Sequence, residues 1–153
     1  MRLLLHLAIV GGLVAGCSNG GGADRLTLDD LKSESILGAD IPGFAGRQVT
    51  DEQGGDNPTI TQLMTVTGDW NTASVDLANA VQLRGWTVES INCVGTGNDV
   101  IAKKLVGDEW ALLESGAGTR GAGIILRRHP NQSPAGEVEI DSRCPPSLIA
   151  AVS

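Results

Sequence analysis

Apolar and polar positions along this chain follow two different periods, and those periods predict its elements. Positions 3–14 are apolar apart from His6 and a pair of glycines, and the run ends at Cys17, followed by Ser18-Asn19-Gly20-Gly21-Gly22. It stops short of the roughly 20 apolar residues that a membrane-spanning helix needs. Further on, Thr27 precedes Leu28-Asp29-Asp30-Leu31, which predicts a short helix with a hydroxyl cap and acids in its first turn. Residues 36–49 read as irregular or briefly extended, and 50–58 as a polar, glycine-bearing loop. Residues 59–67 set Ile60, Leu63, Met64 and Val66 among threonines, as a strand does.

The clearest element is a helix over 72–84. Ala73, Leu77, Ala80 and Val81 fall on one face, Asn71 is placed to cap it, and Trp70 before the cap is placed to staple onto Val75. Gly85 stands where a left-handed terminus is needed, with Trp86 free to fold back on Val81. Strands are predicted over 87–94, 100–106, 109–115, 123–128 and 137–144, with Gly107-Asp108 as a tight hairpin pair. In the last of these Glu137, Val138, Glu139, Ile140 and Asp141 alternate as a half-exposed edge would. The expected fold class is α+β: one main helix packed on an antiparallel sheet of about five to six strands, with a short N-terminal helix.

The opening segment has a charged start at Arg2, an apolar stretch, and the ending Leu13-Val14-Ala15-Gly16-Cys17. It resembles the lipobox signal peptide of bacterial lipoproteins. The resemblance implies cleavage before Cys17 and lipid on its thiol. Multiple acyl chains, at about 0.8 kcal/mol per buried methylene, hold a protein firmly on a membrane. It also implies an extracytoplasmic address on the cell membrane, or the outer membrane if the host has two, for which Ser18 is permissive. Gly38-Ala39-Asp40-Ile41-Pro42-Gly43-Phe44 is similar to the Leu-Leu-x-Ala-Asp-Leu-Pro-Gly stretch of many small actinobacterial lipoproteins. The domain organisation expected is a signal peptide over 1–16, lipidated cysteine and flexible tether over 17–25, and one globular α+β domain over 26–153.

Composition narrows the possible partners. Cleavage removes Arg2 and no acid, leaving 10 basic and 18 acidic residues, a net charge of −8. Such a protein does not attract nucleic acid or anionic headgroups, and with no Tyr and one Phe it has no platform for stacking bases. With Cys17 lipidated, Cys93 and Cys144 remain as an even pair in an oxidising compartment, which predicts a structural disulfide between them. Cys-x-x-Cys, the usual redox pattern, does not occur.

Several motifs invite chemistry and carry little of it. Gly116-Ala117-Gly118-Thr119-Arg120-Gly121 matches G-x-G-x-x-G. A strand follows it, so no helix terminus is offered to a pyrophosphate, and a flexible hairpin loop is the better reading. His129, the one histidine left after processing, sits beside Pro130 with no Gly-x-Ser-x-Gly elbow elsewhere. Asp51, Glu52 and Asp56 cluster without the spacing of a calcium loop. Trp70, Trp86 and Trp110 could form a glycan platform, but core packing accounts for them better. Arg127-Arg128-His129 is the one basic cluster, suited to an anionic partner or to an exposed strand end.

The sequence therefore points to a membrane-anchored, non-catalytic envelope module whose output is contact with a protein partner, with no cofactor, metal or catalytic set expected. The alternative is a binder of a small apolar ligand, a lipid or wall precursor, held between helix and sheet by Met64, Leu77, Val81 and Leu112. An enzyme working through His129 ranks third.

Overall fold

The computed structural model of the chain describes residues 25–54, 57–132, 134 and 136–153. Cys17, the tether and Asp56 lie outside the described residues. The elements run α1 (Leu28–Lys32), β1 (Phe44–Gly54), β2 (Asn57–Val66), α2 (Trp70–Leu83), β3 (Thr87–Val94), β4 (Gly97–Val106), β5 (Glu109–Gly118), β6 (Gly121–Arg128), β7 (Glu139–Ile140) and α3 (Pro146–Val152). The fold is α+β, as expected, with more parts than the sequence suggested. Among the described residues its sheet has seven strands in the order β1-β2-β6-β5-β4-β3-β7. All pairings are antiparallel except the last, in which β7 runs parallel to β3.

Local chemistry explains the best-defined elements. Thr27 and Asp30 cap one another across the first turn of α1. At the start of α2 the cap is Asp69 and not Asn71: its carboxylate accepts the Thr72 backbone N–H at 2.9 Å and the Thr72 hydroxyl at 2.9 Å. A carboxylate is the stronger acceptor here and also answers the helix dipole. The helix accordingly begins at Trp70, two residues earlier than expected, so Trp70 stands inside its first turn and not before its cap. At its end Gly85 adopts φ +80°. Gly85 N–H donates to Gln82 O at 2.9 Å and Trp86 N–H to Val81 O at 3.3 Å, the paired bonds of a Schellman terminus.

Helices cover one face of the sheet. Leu77 and Val81 of α2 pack with Ile60, Ala102, Leu113, Ile124, Leu126 and Trp86. Ala78 on the neighbouring stripe of α2 packs with Leu148 and Val152 of α3, beside Val88, Ile91, Val100 and the two cysteines. Cys93 and Cys144 form a disulfide with Cα atoms 5.1 Å apart, tying the end of β3 to the turn that enters α3.

Three further expectations are corrected. Residues 44–54, read as irregular chain running into a polar loop, are the long edge strand β1. From Ala45 to Asp51 they are exposed, so nothing forces an apolar alternation on them; pairing with β2 specifies the strand. The final strand is only Glu139–Ile140, because the chain turns at Asp141, whose carbonyl accepts the Cys144 N–H at 3.0 Å. Lastly, beyond that strand the chain enters a third helix that the sequence did not suggest, with Pro146 at its first position.

Candidate functional site

The face of the sheet turned away from the helices is the candidate site. Cross-strand register places its side chains in rows. One row runs Ile101, Glu114, Ile125, Thr61 across β4, β5, β6 and β2, and the next runs Asp99, Gly116, Gly123, Leu63. Two glycines side by side in the middle of a sheet leave a trough, and a hollow of about 340 Å³ lies there, floored by Ile101, Ile125 and Leu63. Asp99 and Glu114 supply its charge. The Asp99 carboxylate leans over Gly116, where a Cβ would come within 2.5 Å of its Oδ1. Glu114 is joined to Arg127 at 2.8 Å, so Asp99 leaves the trough net acidic.

One end of this face is closed by the chain itself. β6 lies beside β5 while β7 lies beyond β3, so to reach β7 the chain must pass β5, β4 and β3. The passage buries Leu112 and Lys103, both on the face away from the helices. Lys103 Nζ donates to Pro134 O at 3.4 Å, sits 3.4 Å from Glu89 Oε1 and lies 5.8 Å from the Trp110 ring centroid. The Trp110 N–H donates to Gln132 Oε1 at 2.9 Å.

His129 belongs to this closed end. It is 8% exposed, its Nε2 is 2.9 Å from Glu89 Oε2, and its Nδ1 accepts the Asn131 N–H at 3.0 Å. Nδ1 therefore carries the lone pair and Nε2 the hydrogen, which it donates to the carboxylate. Both ring nitrogens are used in holding the crossover down, and neither is directed at a nucleophile.

The remaining candidates separate in space. Asp51 lies on β1, its carboxylate 2.6 Å from Lys32 Nζ. That contact lowers the Asp51 pKa and raises that of Lys32. Among the described residues no group of three or more His, Cys, Asp or Glu side chains is placed to hold a metal. Trp86 is in the helix-side core, Trp110 is half-buried on the opposite face and Trp70 is at the start of α2, so the three tryptophans share no surface. Arg127 and Arg128 project to opposite faces and pair with Glu114 at 2.8 Å and Glu109 at 2.5 Å. Together with His129 they line one hollow at the end of β6.

Gly116 and Gly118 lie within β5 and Gly121 opens β6, leaving only Thr119-Arg120 as the turn. The loop expected over 116–121 is thus much shorter than it reads, because strand pairing continues through the glycines from Gly116↔Gly123 to Gly118↔Gly121. No apolar cavity is formed by Met64, Leu77, Val81 and Leu112 together. The first three are packed into the core, and Leu112 points away from it beneath the crossover.

The trough residues escape sequence reasoning because they are scattered over four strands. The one available signal was glycine within strand-like sequence, which marks a close approach or an absent side chain. No helix among the described residues is long and apolar enough to cross a membrane. No family model, curated protein or solved structure matches this chain.

Proposed function

We propose that this chain is a non-catalytic protein-interaction module of the cell envelope, lipidated at Cys17 and held on the extracytoplasmic face of a membrane. Its open sheet face receives an extended segment of an envelope protein. The single observation behind this reading is the trough: an apolar floor of Leu63, Ile101 and Ile125 beside Asp99, opposite a fully packed helical layer. Its chemistry suits a segment carrying an apolar side chain flanked by Lys or Arg. An apolar contact at the centre with charge at the rim is how small interfaces gain affinity and register.

A photo-crosslinking residue at Ile101 in the full lipoprotein tests this in cells. The expected result is one defined adduct, lost when Gly123→Phe fills the trough and diminished when Cys17→Ala removes the anchor. Adducts that are diffuse, or unchanged by Gly123→Phe, would defeat the proposal.

The size of the hollow favours a second reading, since about 300 Å³ is the lower end for small-molecule sites. In that case a lipid or wall precursor, and no protein, would raise the melting temperature of the full chain, and Gly123→Phe would abolish the rise.

A further inference from the structure

The sheet has two edges of very different character. β7 is two residues long, whereas β1 runs for 11 residues and among the described residues has β2 as its one strand neighbour. In an antiparallel ladder every second residue turns its N–H and C=O away from the paired strand, so β1 carries a row of backbone donors and acceptors along its outer side. A bulge interrupts the register between Ala45 and Arg47, but from Arg47 to Gly54 it is continuous.

Side chains along that continuous run are self-complementary about Val49. Arg47, Val49 and Asp51 share one face, opposite Met64, Gln62 and Ile60, while Gln48 and Thr50 share the other. An antiparallel copy related by a two-fold axis at Val49 sets each Arg47 opposite the other copy's Asp51, Gln48 opposite Thr50, and Val49 opposite itself. Parallel in-register pairing would instead place like charges together, which is unfavourable. Val49 is 52% exposed, unusual for a strand valine facing the helix side. Arg47 and Asp51 keep 36% and 47% of their side chains exposed while contacting Asp40 and Lys32 of their own chain.

We propose that a second copy of this chain docks on β1, antiparallel about Val49, joining two sheets into one continuous sheet. The contact is isologous: the same strand serves both copies and the assembly closes at two. This inference rests on β1 alone and stands whether or not the trough binds a segment.

The test is Val49→Cys in the full chain, with the wild type beside it to report any contribution from Cys17. Facing residues of antiparallel strands have Cα atoms about 4.5–5.5 Å apart, within the span of a disulfide. The expected product under mild oxidation is a reductant-sensitive dimer formed much faster than from Leu83→Cys, whose position is 84% exposed on α2. Adding Arg47→Asp opposes two carboxylates twice and should weaken dimerisation by about tenfold; adding Asp51→Arg as well should restore it. Melting curves confirm that each variant is folded. Cross-linking no faster than at Leu83, or indifferent to Arg47→Asp, would overturn the proposal.

Discussion

Glu89 holds two buried partners at once, accepting from His129 Nε2 at 2.9 Å and forming an ion pair with Lys103 Nζ at 3.4 Å. This carboxylate joins β3 and β4 to the crossover that closes one end of the sheet face. Breaking a buried pair leaves an uncompensated charge, and losing one hydrogen-bond partner leaves a desolvated group. Glu89→Ala should therefore destabilise the fold by about 3 kcal/mol and His129→Ala by about 2 kcal/mol. The double variant should fall well short of the sum, because the two residues share one interaction. Urea denaturation of the three proteins measures this, and additive losses would mean that the contact carries no coupling.

The glycines of the G-x-G-x-x-G run differ in what their missing side chains permit. A Cβ at Gly118 would lie 2.4 Å from the Thr96 carbonyl oxygen, a backbone atom that cannot swing aside. At Gly116 the obstacle is the Asp99 carboxylate, the far end of a flexible side chain. Gly118→Ala should thus destabilise the fold by about 2 kcal/mol and Gly116→Ala by less than about 1 kcal/mol. The reverse order in thermal melts would mean that the β4–β5 hairpin relaxes more freely than its pairing implies.

The Cys93–Cys144 bridge spans 51 residues. Closing a loop of that length stabilises the fold by about 4 kcal/mol in the chain-entropy model. Free-thiol labelling of the folded protein should find neither cysteine until reductant is added. Replacing both with serine should lower the denaturation midpoint accordingly.

Asp141 gives the stability an acid limb. The Arg143 side chain, then the Arg143 backbone N–H, hold its carboxyl far below the usual carboxylate range. A carboxyl with a depressed folded pKa contributes stability that is present above its ordinary value, about 4, and lost as pH falls through the folded one. Asp69, bonded to the Thr72 N–H and hydroxyl, is lowered in the same sense. Melting temperature should hold from pH 7 to about 5 and decline below about 4. Asp141→Asn should flatten that decline while lowering stability at pH 7.

The elements most legible in the sequence are those whose signals are local. The α2 stripe of Ala73, Leu77, Ala80 and Val81 is buried, and Gly85 and Trp86 close the helix as their order suggests. Strand β3 occupies the expected residues, and Gly107-Asp108 turns a hairpin. The two cysteines pair because they are close in space, a relationship that counting made plausible and only the fold could supply. By contrast β1 has few apolar residues to reveal it, since an edge strand is half solvated and its partner provides the order. The helix α3 is seven residues long and owes its stability to packing on α2, which no seven-residue window can report.

The sequence by itself determined what depends on neighbours along the chain: the Thr27 cap, the Gly85 helix terminus, the Gly107-Asp108 turn, and the parity of the cysteines. Tertiary structure alone decided what depends on neighbours across it. The trough exists because Gly116 and Gly123 come side by side on adjacent strands. Leu112 faces away from Leu113's core because adjacent residues of a strand point to opposite faces. His129 is buried because the chain must cross the sheet to reach β7. Register between distant strands is set by the joint burial of the whole helix-side face, and that balance is a property of all its residues together.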